Sequence, residues 1–341
     1  MQVTHKNHEV RLAARPHGWP TVQNFTFAEA AVGEPGPGEV VVRNTHMSVE
    51  PYMRGRMNDA KSYVPPFRLG EPLEGGAVGF VVTSSDPSLP AGTWVHSILG
   101  WREYARGPKA AFTPIDTKLA PPCAYLGVLG IPGFTAWVGL NVIAELKAGE
   151  TLFVSSAAGA VGSIAGQLAK LAGARTIGSA GGAEKVAFLK DKLGFDEAFD
   201  HHGGNIEKKL RDAAPDGINV YFDNVGGEQF DAALLALRTF GRVAVCGMIA
   251  GYNEAVPGPH NIIAVIPKRL KIQGFIITDH FARFGEFVAA IAPYLQSGKL
   301  HAPESIVDGL ENAPQVFIDM LRGGKYTGKV IVRLAPEGTK P

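Results

Sequence analysis

From about residue 126 onward, short apolar runs alternate with segments whose apolar residues recur every three to four positions, and this alternation predicts strands and helices in strict succession. Residues 151–173 read as a short buried strand, a glycine turn and a helix. A strand at 174–178 comes next, then a helix over 183–193 closed by Gly194, a strand at 197–201 and a helix near 206–213. The series continues with a strand at 218–223, a helix at 229–237, a strand at 242–247, a long helix at 281–300 and a last strand at 328–334. Such a series is the mark of an α/β protein with a parallel, doubly wound sheet. Before residue 126 the texture differs. Segments 39–49, 77–84 and 92–98 are rich in Val, Ile and Thr, are separated by clusters such as Pro35-Gly36-Pro37-Gly38 and Pro65-Pro66, and carry no helical period. Because β segments open and close the chain around one α/β unit, the expected organisation is a β-rich domain from residues 1–125 and 301–341, with a doubly wound domain at 126–300 inserted into it.

The turn after the first α/β strand carries the sharpest chemical signal. Residues 155–162 read Ser-Ser-Ala-Ala-Gly-Ala-Val-Gly, so the first helical turn has almost no side chains. Ala157, Gly159 and Gly162 leave backbone N–H groups open at the positive end of a helix, where a dinucleotide pyrophosphate can dock. Gly162, Gly166 and Ala169 share one helical face and allow close packing on the sheet. A Gly-x-x-Gly before a helix also occurs as plain tight packing, and Ala157 stands where the usual fingerprint has its first glycine. Further along, NAD-binding folds place an acid at the end of the second strand to hold the ribose 2′-hydroxyl. This chain has Ser179, Ala180, Gly181 and Gly182 there, then Lys185. An uncharged floor beside an ammonium suits a 2′-phosphate and so NADP(H), although Lys185 can equally be read as a solvated helix lysine.

Composition narrows the function classes. With 341 residues the chain is long enough for two domains, and 45% hydrophobic against 19% charged residues excludes a disordered chain. A net charge of +1 without a basic run gives no footprint for nucleic acid. Residues 1–10 are polar and charged, unlike a secretory signal, and no apolar stretch approaches bilayer length, so no membrane partner and a cytoplasmic location are expected. Two cysteines, Cys123 and Cys246, make no disulfide framework and fit a reducing compartment.

Several long strings carry a family resemblance: Glu50-Pro51-Tyr52-Met53-Arg54-Gly55-Arg56-Met57, Leu129-Gly130-Ile131-Pro132-Gly133-Phe134-Thr135-Ala136, Ala157-Ala158-Gly159-Ala160-Val161-Gly162, residues 216–227 (Asp-Gly-Ile-Asn-Val-Tyr-Phe-Asp-Asn-Val-Gly-Gly) and Gln273-Gly274-Phe275. In these the chain resembles the zinc-independent medium-chain dehydrogenase/reductases, within them the group of leukotriene B4 dehydrogenase, prostaglandin reductase, plant alkenal double-bond reductases and bacterial curcumin reductase. The resemblance implies a GroES-like β-rich catalytic domain and a Rossmann domain, a homodimer, and reduction of the α,β carbon double bond of enals and enones by NADPH. It further implies that Gly159, Ala160, Val161 and Gly162 hold the pyrophosphate, Lys185 the 2′-phosphate and Asn224 the adenine-side ribose region. Cys246, Gly247, Met248, Ile249 and Tyr252, with Phe275, Ile276 and Ile277, would line the nicotinamide half. This sequence departs from the pattern twice: His201 stands where the group commonly has a Tyr near the 2′-phosphate, and Tyr326 where it has an Asn before the closing Gly328-Lys329.

No metal site is expected. No Cys or His lies between Met47 and Val95, where zinc-dependent relatives place two ligands, and the ten histidines show no paired ligand spacing. Without a Lewis acid an unactivated ketone is a poor hydride acceptor. A conjugated carbonyl needs less: its β carbon is electrophilic, and charge gathering on the enolate oxygen can be stabilised by a neutral donor. A phenol, protonated at neutral pH, suits that task. Tyr252 resembles the family's active-site tyrosine and is the first catalytic candidate; Tyr52, on the β-rich side, is the second. Either can also be read as a structural tyrosine, Asp223 as a brace for a strand end, and Cys246 as packing. Three readings therefore stand side by side: an NADPH-dependent enal or enone reductase, a zinc-free alcohol or quinone oxidoreductase, and an NADP-binding protein without turnover.

Overall fold

The computed structural model describes residues 5–339 and 341. The chain divides into two compact units: one comprises the described residues up to Leu126, Glu304–Lys325 and those from Lys329 onward, and the other Gly127–Pro303 with Tyr326–Gly328. The junction expected at 301 thus lies at 304, and Tyr326, expected in the β-rich domain, belongs to the α/β unit. The cause is local. The Gly328 N–H donates to the Ala158 carbonyl at 2.7 Å and Gly328 bridges Gly159, pinning this stretch onto the glycine turn.

The α/β unit holds a six-stranded sheet of β1 (Thr151–Val154), β2 (Arg175–Ala180), β3 (Glu197–Asp200), β4 (Ile218–Asp223), β5 (Leu237–Val245) and β6 (Lys271–Gly274). The spatial order is β3-β2-β1-β4-β5-β6 with every pair parallel, the Rossmann order. All four residues of β1 are buried, as a central strand covered on both faces requires. Helices α1 (Ala160–Leu171), α2 (Ala183–Asp191), α3 (Ile206–Ala213) and α4 (Gly227–Ala236) supply that cover. Phe153 stacks on Tyr221 at 5.0 Å within a cluster that includes Ile177, Leu210, Phe230 and Leu234. Each such side chain contributes roughly 1.5–3 kcal/mol by leaving water.

The close packing expected of α1 is visible in its glycines. A Cβ on Gly162 would stand 2.4 Å from the Ser156 carbonyl oxygen, and one on Gly166 would stand 1.8 Å from the Phe195 ring. The second contact is with an aromatic side chain rather than with the sheet, so Gly166 admits Phe195 beneath the helix. Two element readings are corrected. The helix expected at 281–300 is α-helical only over Phe284–Gln296, after a 3-10 stretch at Ile277–Arg283 that a helical period does not distinguish. The strand expected at 242–247 runs instead over Leu237–Val245, with Phe240 at φ +64°, because Cys246 and Gly247 turn away to donate to the Asp223 carbonyl at 2.8 and 3.0 Å.

In the β-rich unit, Glu39–Ser48 is the organising strand. One edge pairs with Ala77–Ser84; the other pairs with Tyr104–Pro108 at one end and Lys329–Arg333 at the other. Trp94–Ser97 and Thr113–Pro114 extend one side of the sheet and Glu304–Asp308 the other, parallel to Lys329–Arg333. His5–Leu12 and Phe25–Val32 form a separate antiparallel ribbon. Trp101, fully buried, lies between Phe25 and Phe317. Among the described residues no helix is long and apolar enough to cross a membrane.

Candidate active site

Strand order reverses between β1 and β4, and ligands of such sheets bind beyond the carboxyl ends of the strands at that reversal. There the chain builds a buried polar knot. Asp223 Oδ1 accepts from the Tyr221 hydroxyl at 2.6 Å, the Ser155 hydroxyl at 3.2 Å, and the Val225 and Gly226 N–H groups at 2.9 Å each. Burial pushes the Asp223 carboxyl above the usual carboxylate range. Asn224 is tied in beside it: its side-chain amide donates to the Ser155 carbonyl at 2.7 Å and its N–H is held by the Ser155 hydroxyl at 2.9 Å. Asp223 therefore braces the end of β4 and locks the Ser155 turn, which in turn seats Gly162. Gly159 is the extended N-cap of α1 and has no side chain to occupy the N–H groups of Ala160, Val161 and Gly162.

Beyond β2 the floor is small and uncharged as expected, with one addition from the neighbouring strand. Asp200 Oδ1 accepts from Gly182 N–H at 3.0 Å and His202 N–H at 2.9 Å, and these two amides hold its carboxyl below the usual range. Lys185, half-buried, extends its ammonium to the Tyr326 carbonyl. Two residues far apart in sequence thus meet here, and the backbone of Tyr326 rather than its ring makes the contact. An ammonium has three N–H donors, so one carbonyl does not exhaust it. The His201 N–H donates to the Ala180 carbonyl at 3.1 Å. Burial, then the adjacent His202, lowers the His201 imidazole below its ordinary value, so it is neutral at pH 7.

Beyond β5 and β6, Val245, Cys246, Gly247, Gly274, Phe275, Ile276 and Asp279 line a cavity of about 370 Å³. Met248 and Ile249 flank it: Ile249 N–H bonds the Asn224 carbonyl at 3.3 Å, and the Met248 side chain covers Gly226. A methyl placed on Gly247 would stand 3.3 Å from the Tyr252 hydroxyl, so that phenol lies against the cavity wall. Ile277 begins the 3-10 stretch behind Ile276. Burial, then the charge of Asp223, pushes the Cys246 thiol up to about 12, which leaves it protonated and inert at neutral pH.

Tyr52 lies in the β-rich unit, at the residue before the short helix Met53–Arg56. Burial, then Glu50, raises its phenol well above the ordinary tyrosine value. Arg54 is committed to structure through Asn58 Oδ1 at 2.7 Å and the Gly18 carbonyl at 2.8 Å. Among the described residues no group of three or more His, Cys, Asp or Glu is arranged to hold a metal ion.

Family models match the chain twice, as the N-terminal domain of oxidoreductase at residues 8–115 and as zinc-binding dehydrogenase at residues 160–292. The chain is 43% identical to the NADPH-dependent curcumin reductase of Escherichia coli, across 98% of this chain and 99% of that one. It is 40% identical to the NADP-dependent 2-alkenal reductase of Nicotiana tabacum, across 89% of each. The crystal structure of CurA from Vibrio vulnificus in complex with NADPH superposes with a TM-score of 0.92 at 42% identity, over 96% of this chain and 99% of that one. The chain belongs to the zinc-independent medium-chain dehydrogenase/reductases.

Two features of this dehydrogenase/reductase escaped the linear pattern. Asp279 lines the cavity, yet nothing around it in sequence singles it out. Gly328 lies on the glycine turn, at φ +71° and with its Cα facing the Pro303 carbonyl so closely that a Cβ would stand 1.9 Å away. A glycine before a lysine near the end of the chain was the available signal, and it points to a tight turn without saying what the turn touches.

Proposed function

We propose that this chain reduces the α,β carbon double bond of small enals and enones with NADPH. The observation that carries the reading is near-full-length likeness to relatives named for NADPH-dependent reduction of curcumin and of 2-alkenals, in a chain whose second strand ends without an acid and with Lys185 beside it. The residues present fit the cofactor: the uncapped first turn of α1 suits the pyrophosphate, the Lys185 ammonium the 2′-phosphate, and the cavity at residues 245–247 and 274–276 a flat ring. When bound, NADPH supplies the hydride that adds to the β carbon of the substrate. Tyr252 donates a hydrogen bond to the carbonyl oxygen and stabilises the negative charge that collects there, acting as a neutral donor. Cys246 and Gly247 form the wall against which that phenol lies, and the unreactive thiol adds no competing nucleophile. Tyr52, whose phenol holds its proton firmly, is our second candidate for a hydrogen-bond donor.

We also assign a homodimer. Ile263 and Ile266 are 70% and 71% exposed on the segment that leads into β6, and β6 is the last strand of its sheet. Exposed isoleucines beside the last strand of a sheet suit a second copy of the chain. Loss of NADPH absorbance on adding a conjugated enal, with none on adding its saturated analogue, tests the activity. A quinone that is turned over in place of the enal overturns it.

A further inference from the structure

Two histidines, rather than one residue of constant charge, lie at the end of β2. A Cβ on Gly181 would stand 2.8 Å from His202 Cε1 and 3.3 Å from His201 Cε1, so both rings lie over the glycine at the position of the adenosine 2′ substituent. The rings are 4.5 Å apart, and the buried Nδ1 of His201 has no hydrogen-bond partner among the described residues. Three charged residues, one acidic and two basic, lie at this strand end. Asp200 sits 3.2 Å from His202 Nδ1, Lys209 donates to the backbone carbonyls of Asp200 and His202 at 2.9 and 2.7 Å, and Lys185 stands on the first turn of α2. We propose that His201 and His202 form a proton-dependent reader of the 2′-phosphate, so that the preference of this chain for NADPH over NADH strengthens as pH falls.

The argument rests on the NADPH reading given above. In the free protein burial and the neighbouring His202 disfavour a proton on His201, because two imidazolium rings at this separation repel. A dianionic phosphate over Gly181 changes the balance. It provides His201 with a charged partner, so binding NADPH draws a proton onto the pair, whereas NADH, with a 2′-hydroxyl, does not. The phosphate's own second ionisation, near pH 6, acts in the opposite sense by strengthening binding as pH rises. Net proton uptake therefore requires the histidine contribution to exceed the release from the phosphate.

Calorimetric titration of the wild-type protein with NADPH and with NADH, in buffers of unequal ionisation enthalpy at pH 7, measures that exchange directly. Net proton uptake with NADPH and none with NADH is the expected result; release, or equal exchange for both, overturns the proposal. Dissociation constants at pH 6, 7 and 8 supply the second readout. The NADPH advantage should fall by about tenfold between pH 6 and 8 in the wild type and should not fall in His201→Tyr, whose phenol does not titrate there and leaves only the phosphate's opposite dependence. His202→Gln keeps the test open if His201→Tyr fails to fold, and NADH binding reports folding in both. An NADPH advantage that is present but independent of pH defeats only the histidine inference; no advantage at any pH defeats the NADPH reading itself.

Discussion

Gly162→Ala tests the architecture of the nucleotide turn with a single methyl. The new Cβ would stand 2.4 Å from the Ser156 carbonyl oxygen and 2.8 Å from Ala157 Cα, below the 3.0 Å that real contacts respect. Both neighbours are backbone, and the Ser155–Asp223 knot holds that backbone in place, so no side-chain rotation relieves the clash. The turn must open by about 0.6 Å, and strain of this kind in a packed interior costs roughly 1–3 kcal/mol. Alanine returns up to about 1 kcal/mol in helix propensity, leaving a net loss of roughly 0–2 kcal/mol in stability. The same displacement at the turn we propose for the pyrophosphate should weaken NADPH by about 10–100-fold. Gly285→Ala provides the matched control, since its Cβ meets nothing within 4 Å near the start of another helix. Paired chemical denaturation and NADPH fluorescence titration read both quantities. Wild-type affinity in Gly162→Ala would refute the claim that close approach of this turn to α1 shapes the site.

Lys185→Ala should weaken NADPH by about 10–100-fold, the worth of one charge-assisted hydrogen bond, and leave NADH within twofold; equal losses for the two would remove the phosphate role. Tyr252→Phe should lower kcat by roughly 100-fold, as for loss of an oxyanion donor, with NADPH affinity kept, and an unchanged kcat would release Tyr252 from the mechanism. Asp200→Asn addresses pH. The native carboxyl is held below the usual range by the Gly182 and His202 amides, so its contribution is complete above the unfolded value near 3.9 and is lost as pH falls through the native one. Thermal melts should show Asp200→Asn less stable than wild type at pH 7, with the gap closing toward pH 3; a gap that widens in acid reverses the sign and the reasoning.

The sequence by itself determined the α/β class, the strand–turn–helix at Gly159 and Gly162, the missing acid after β2 and the family, because each depends on local pattern or on residues adjacent in the chain. Period and glycine spacing are local properties, and a buried parallel strand such as Thr151–Val154 announces itself through its apolar run. Only the tertiary structure decided what meets what. Tyr326 delivers its backbone carbonyl to Lys185, Gly328 closes on Ala158, and Asp223 gathers Tyr221, Ser155 and two N–H groups at one oxygen. Asp279 and the histidine pair over Gly181 likewise gain meaning only from their neighbours. Contacts of this kind join residues of large sequence separation, and they are chosen by the twist and packing of a completed sheet, a property no short segment possesses alone. The bounds of the helix expected at 281–300 failed for the same reason: Phe281, Phe284 and Phe287 all pack around Phe134, so a helical spacing of aromatics persists into a 3-10 stretch that tertiary contacts shape.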